Sequence, residues 1–349
     1  VSTVAEIAVR SPCIGGFFES HEPDGGAQGR SLLDVWTEGR PFAAFVNARS
    51  AFAGLVGLFP SASVWMPAFL CDSLIGGALA GRARFYPVEE GFEPNLSRVE
   101  AEARTGDLVL IPAYFGLSPT EAVREVIWRR SDLRFVEDRA QALDAGPGVG
   151  AGWRLYSPRK LLGVADGGLL VAMHAAAVLP RPGAPAAEAA LWAAPTMRRD
   201  DPSGRRNAVW HAANQAKEAA MTVAAEAMTA QSLSILSRTS FASLAGPRLR
   251  NWGLLDRRLR AWSALPPNPA SPPLGYVICL EPDVREALLR ALHAERIFAA
   301  VHWSRLAAQH ADFPREAGWT RQLLTLPCDH RYGAAEMERI ADRVADFLR

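Results

Sequence analysis

Between residues 45 and 172 short apolar runs alternate with helical segments, and this alternation leaves few architectures open. Candidate strands lie at 63–66, 83–86, 108–112, 134–137, 154–156 and 168–172, and candidate helices at 51–58, 72–79, 96–103 and 120–129. Strands that are apolar on both faces and separated by helices predict an α/β fold whose sheet is mostly parallel and covered on both sides. In such sheets ligands bind at the carboxyl ends of the strands. An Ala/Pro-rich stretch at 175–196 then reads as a linker or surface excursion. A helical region at 207–237 follows. After the Pro-rich 265–273 come a strand (275–280), a helix (282–295), a strand (297–302) and a last helix (334–348). A chain of 349 residues suits two domains. The pattern predicts a large domain over 1–240, including the N-terminal segment, and a smaller C-terminal α+β domain over 241–349.

Charge excludes some partners. The formal net charge is +1, which gives no electrostatic case for nucleic acid or a membrane surface. Arginines at 248–250 and 257–260 sit among Leu and Trp at helical spacing and predict a solvated helix face. Residues 1–18 show no basic segment followed by an apolar run, so no signal peptide is expected. No stretch reaches 18 uninterrupted apolar residues. Cys13, Cys71, Cys279 and Cys328 lie far apart, without a CxxC pair or a histidine at ligand spacing. Neither a metal site nor a disulfide framework is expected, and a reducing cytoplasm is the default.

Of 38 basic residues only two are lysines, Lys160 and Lys217. An amine can shed its proton and attack a carbonyl, which a guanidinium cannot. Lys217 lies in the amphipathic stretch NQAKEAAM and reads as a surface residue. Lys160 lies in YSPRKLLGVADGG, just after a strand end and before a turn closed by Asp166, Gly167 and Gly168. Ser157, three residues earlier, offers a hydroxyl to a phosphate. An amine beside phosphate donors is what pyridoxal phosphate requires, although a surface turn with a solvated lysine has the same letters.

Two further segments carry chemistry. In RFVEDRAQAL the strand ends on Glu137 and Asp138, and Gln141 follows one turn later. A carboxylate there can keep a pyridinium nitrogen protonated, and Gln141 can reach the ring's 3-oxygen; a helix N-cap is the alternative. In FVNARSAFAGL the turn Asn47, Ala48, Arg49, Ser50 runs into an apolar helix. Its backbone amides and the Ser50 hydroxyl would suit a phosphate, although taken alone the segment reads first as a plain N-cap.

The order of the three, phosphate turn, then aspartate, then Ser-x-x-Lys, resembles fold-type I pyridoxal-phosphate enzymes. With IGGFFE, MPAFLCDSL, IPAYFG and the closing LPCDHRYGAAEMERIADRV, the chain resembles the DegT/DnrJ/EryC1/StrS sugar aminotransferase family. Glu137, Asp138, Ala140 and Gln141 match that family's Glu-Asp-x-Ala-Gln/His element. Lys160 followed by Gly167 and Gly168 matches its lysine and paired glycines, with Asp166 in place of the usual glutamate. The resemblance implies a seven-stranded sheet of the aspartate-aminotransferase type and pyridoxal 5'-phosphate as cofactor. Lys160 would be the Schiff-base lysine and proton carrier, and Asp138 the ring-nitrogen partner. Arg49 (through its backbone), Ser50 and Ser157 would hold the phosphate. It implies an amino-acid donor, a keto acceptor on a nucleotide sugar or related ketone, and a homodimer.

The chain departs from the family in three places. Its serine stands three residues before the lysine rather than five. The position that stacks an aromatic on the ring falls on Cys71, with Phe69 as the nearby aromatic. The stretch 181–206 does not follow the family pattern. A lyase or dehydratase, or a member turned to a binding role, remains compatible with these residues. The dehydratase relatives carry histidine at the position of Lys160, which weighs against that branch.

Overall fold

The computed structural model describes residues 13–22, 29–74, 79, 81–303, 305–306, 308 and 311–349. Part of the predicted helix at 72–79 lies outside the described residues; what is seen there is one 3-10 turn, Asp72–Leu74. Seven strands form the central sheet: β1 (Phe42–Phe45), β2 (Val64–Pro67), β3 (Ala83–Tyr86), β4 (Leu108–Pro112), β5 (Arg134–Asp138), β6 (Trp153–Tyr156) and β7 (Gly168–Ala172). Their order across the sheet is β1-β7-β6-β5-β4-β2-β3. β7 runs antiparallel to both neighbours, and the remaining pairs are parallel.

Alternation along each strand divides the two faces. Leu108, Leu110, Val136 and Leu170 pack with Phe52, Leu55 and Val56 of the helix Ala48–Gly57. Val109, Ile111 and Phe135 turn the other way, onto Val123, Val126 and Ile127 of the helix Glu121–Arg129. Cover on both faces explains why these strands read as unbroken apolar runs. β1 escaped that reading. Phe-Ala-Ala-Phe has weak strand propensity, and its position comes from pairing with β7. Its outer edge does not stay open: Val46 N–H donates to Glu226 O at 2.9 Å and Met228 N–H to Ala44 O at 3.1 Å. Covering an edge this way removes a site of unwanted pairing.

The stretch expected to be a linker contains a helix, Glu188–Arg199, that buries Trp192, Ala194 and Arg198 despite Pro195 within it. The expected helical region 207–237 is two helices, Asn207–Ala220 and Ala230–Arg238. The chain between them crosses the end of β1. In the helix Phe241–Leu259 Arg250, Arg257 and Arg258 are exposed, as the solvated arginine face requires, but Arg248 departs from that expectation and is fully buried. It lies at helical spacing from Leu244, Trp252 and Leu255 and donates to Leu161 O at 2.8 Å.

The C-terminal elements share a core of Leu255, Tyr276, Ile278, Leu288, Leu324, Ile340 and Val344, which also takes in Ile14. Two C-terminal elements went unseen in the sequence: the helix Pro314–Gln322 and the strand Leu323–Leu326, which pairs antiparallel with Tyr276–Cys279. The N-terminal Ile14–Gly15 pairs parallel with Ile297–Phe298. Among the described residues no helix is long and apolar enough to cross a membrane.

Candidate active site

The parallel strands β2, β4, β5 and β6 deliver their carboxyl ends to one edge of the sheet. The antiparallel β7 brings its first residue there, where Gly168 pairs with Phe45 at the end of β1. A cavity of about 200 Å³ opens at this edge, lined by Ala48, Arg49, Cys71, Asp138, Gln141, Ser157 and Lys160 among others. Residues spread over more than a hundred positions of chain thus converge because the sheet's topology aims their strands at one place.

Lys160 ends the 3-10 turn Pro158–Lys160, one turn beyond β6. Its side chain is exposed to the cavity yet surrounded by protein. Burial therefore pushes its ammonium pKa down. Asp138 and Cys71 oppose that shift, while Arg159 and Arg49 add to it. Burial pushes the Asp138 carboxyl up, and Lys160 and the Ala140 N–H pull it back. That N–H donates to Asp138 Oδ1 at 2.9 Å and fixes the carboxylate's direction. His302 lies in the same field: burial, then the charge of Lys160, pushes it down to about 3, so its ring is neutral.

The helix Ala48–Gly57 presents its N-terminus to the cavity. Asn47 caps it, accepting the Ser50 N–H at 2.9 Å. Ala48 and Arg49, the first residues of the helix, line the cavity, and their amides precede the first intrahelical donors. Gly168 makes this arrangement possible, since a Cβ there would lie 2.2 Å from both Ala48 N and the carbonyl carbon of Asn47. The buried Asp166 anchors the same turn, accepting from Thr229 N–H and Oγ1–H, each at 2.7 Å. Ser50 departs from expectation. Its hydroxyl accepts the Ala224 N–H at 3.0 Å, and the residue does not line the cavity. The crossing segment after Ala220 has taken that oxygen.

Gln141 Oε1 accepts the Phe115 N–H at 2.8 Å, which leaves its amide nitrogen buried without a partner beside the cavity. Cys71 lines the wall, 3.0 Å from Ser73 Oγ. Phe69 does not, because it is fully buried against Phe92, Tyr114, Trp303 and Trp319. The aromatic wall is supplied instead by Tyr114 and Trp303. Tyr114 follows the end of β4 and could have been found from the strand-end rule. Trp303 arrives from the C-terminal part of the chain with no local signal.

Lys217 is also corrected. Its side chain is 8% exposed and its Nζ lies 3.7 Å from Glu218. Burial, helped by Arg159, lowers it to about 8. Glu218 pairs with Arg159, and both line the cavity. Helical periodicity alone could not reveal this, since the contact joins residues 59 apart in sequence.

No family model and no curated protein matches the chain. Solved structures do. The aminotransferase TlmJ from Streptoalloteichus hindustanus is 15% identical, with 95% of this chain and 98% of that chain covered and a TM-score of 0.63. A DegT DnrJ EryC1 StrS aminotransferase from Brucella abortus is 16% identical over 93% and 91%, with a TM-score of 0.62. Helicobacter pylori PseC, an aminotransferase involved in the biosynthesis of pseudoaminic acid, is 16% identical over 97% and 99%, with a TM-score of 0.64. The chain therefore has, over nearly its whole length, the fold of the DegT/DnrJ/EryC1/StrS-type aminotransferases.

Proposed function

We propose that this protein is a pyridoxal-phosphate-dependent aminotransferase of that family. It moves an amino group from an amino acid, glutamate being the expected donor, to the keto group of a nucleotide sugar or related ketone. The observation that carries the reading is one cavity, at the carboxyl ends of a parallel sheet, that brings together an amine, a carboxylate and the first residues of a helix. These donors fit the cofactor. The Ala48 and Arg49 amides and the Ser157 hydroxyl suit its phosphate. Asp138 suits the ring nitrogen, and the unpartnered Gln141 amide nitrogen suits the ring oxygen. Solved neighbours agree in kind: Spr1654 of Streptococcus pneumoniae is described in PLP and PMP forms, and DesI with its TDP-sugar product.

When bound, the pyridoxal ring supplies an electron sink that acidifies the substrate's Cα–H. The protein does the rest. Lys160 Nζ, whose charged form is disfavoured by burial, accepts the Cα proton and returns it as an ammonium. Asp138 holds negative charge behind the ring site, directed by the Ala140 N–H. Leu70, Leu155, Tyr114 and Trp303 close the walls against water.

The reading extends to organisation. The large domain comprises the described residues between 29 and 240, and the small one comprises 241–349 joined by Ile14–Gly15; the working unit is a cytoplasmic homodimer. The dimer is supported by apolar side chains left exposed around the helix Asn207–Ala220, among them Met197, Val209 and Val223; a monomeric mass by light scattering at micromolar concentration would refute it. To test the reaction, the cofactor-loaded protein is mixed with glutamate. Bleaching of the visible band with release of 2-oxoglutarate is expected, and an unchanged spectrum would refute aminotransfer. Keto-sugar nucleotides are then screened for turnover.

A further inference from the structure

Arg159 immediately precedes Lys160 and lines two cavities at once: the one just described, and a neighbour of about 410 Å³ that shares Lys160 and Trp303. It stands at their junction. Its guanidinium is engaged by Glu218 through Nη1, and its Nε is buried without an acceptor. Glu218 Oε1 takes both the Arg159 contact and the Lys217 Nζ at 3.7 Å. Burial alone would push the Glu218 carboxyl up, yet Arg159, Lys217 and Arg49 together hold it below the usual range. Two cations thus contact one carboxylate in the cavity wall, within the field of a third. Glu218 itself is the loosest member, its side chain 39% exposed against 17% for Arg159 and 8% for Lys217.

A cation cluster that faces a substrate cavity and is satisfied by a movable acid is built to exchange that acid for another anion. We propose that Arg159 is the receptor for the carboxylate of the amino donor, and that Glu218 is an internal stand-in which the incoming carboxylate displaces. The proposal rests on the aminotransferase reading above. The exchange makes and breaks only ion pairs: Glu218 leaves Arg159 as the donor's carboxylate arrives, and no proton or electron is transferred. It selects against neutral amines, which cannot displace Glu218. The cofactor's phosphate has the same oxyanion chemistry. Position favours the carboxylate, since the Ala48 and Arg49 amides line the first cavity alone while Arg159 faces both.

The test uses succinate, an unreactive dicarboxylate, and pyridoxal phosphate itself as probes of wild type, Glu218→Gln and Arg159→Gln. Each cofactor-free protein is titrated with pyridoxal phosphate, and each loaded protein with succinate, following the visible spectrum. Glu218→Gln should tighten succinate on the order of tenfold and Arg159→Gln should weaken it by a similar factor. Cofactor affinity should stay within about twofold of wild type in Glu218→Gln. A tightening is a result that a purely structural ion pair does not produce. If cofactor affinity moves and succinate affinity does not, the receptor serves the phosphate and the donor assignment is overturned. If neither moves in Glu218→Gln, the stand-in role is overturned. A wild-type protein that takes up no cofactor would refute the functional reading itself, and this proposal with it.

Discussion

Gly168→Ala probes how closely the strand β7 must approach the helix that faces the cavity. A Cβ at this position would lie 2.2 Å from Ala48 N, 2.2 Å from the Asn47 carbonyl carbon and 2.4 Å from Ala48 Cα. All three are backbone atoms, so no rotamer change relieves the clash. Ordinary contact begins near 3.4 Å, and either β7 or the first helical turn must retreat by about 1 Å in a close-packed interior. Overpacking of this kind costs about 1–3 kcal/mol. The same retreat displaces the Ala48 and Arg49 amides proposed to hold the phosphate. A hydrogen bond to a charged group is worth about 1.5–3 kcal/mol and ~1.4 kcal/mol is tenfold in affinity, so loss of one such contact should raise the dissociation constant for pyridoxal phosphate about tenfold or more. The assay is a titration of cofactor-free protein, with a urea midpoint measured alongside. Gly253→Ala is the control: it lies inside the helix Phe241–Leu259 with open space around it. There alanine should stabilise by about 0.5–1 kcal/mol and leave affinity unchanged. Wild-type affinity and an unshifted midpoint in Gly168→Ala would refute the packing argument.

Two further outcomes follow from buried charge. Buried Asp329 chelates the nearly buried Arg331 with contacts of 2.7 and 2.9 Å, and Arg331 reaches on to Glu19 in the N-terminal segment. Asp329→Asn should cost about 1.5–3 kcal/mol in urea unfolding, because the guanidinium loses one of its two carboxylate partners while Glu19 remains; an unchanged midpoint would contradict this. Lys217 is lowered to about 8 in the folded protein against an ordinary 10.5. Between those values the unfolded chain binds the extra proton, so stability rises with pH across that window. Cofactor-free wild type should therefore gain stability relative to Lys217→Met from pH 8 to 10.5, a gain read from urea midpoints at several pH values. Parallel midpoints across that range would show that Lys217 is solvated.

What could be read from the sequence was whatever leaves a local mark. The strands buried on both faces read as apolar runs, and Lys160 and Asp138 stood out because few residue types can do their chemistry at a strand end. β1 left no mark, since two alanines between phenylalanines gain their extended form only by pairing with β7. The helix Glu188–Arg199 was hidden behind prolines, although its alanines favour helix and Trp192 gives it a buried face. The contact that engages the Ser50 hydroxyl left no mark either, since its partner, Ala224, arrives from 174 positions away. Lys217 and Arg248 were misread for a related reason. Amphipathic spacing shows that a helix has two faces, but only tertiary packing shows which face meets Arg159 or Leu161. Phe69 was a plausible stacking residue by position, yet the aromatic cluster around it claims the ring.

The central claim is that Lys160 is the residue that binds the cofactor's carbonyl. The chain's other lysine provides a demanding comparison, since Lys217 is also partly desolvated and lies beside the same cavity wall. Borohydride reduction of the cofactor-loaded protein, followed by peptide mapping, separates the two. The visible band should disappear, with one stable adduct on the peptide containing Lys160. Lys160→Arg should give no adduct, because a guanidinium does not form the imine, and Lys217→Arg should be labelled as wild type is. An adduct on Lys217, or trapping that persists in Lys160→Arg, would contradict the account.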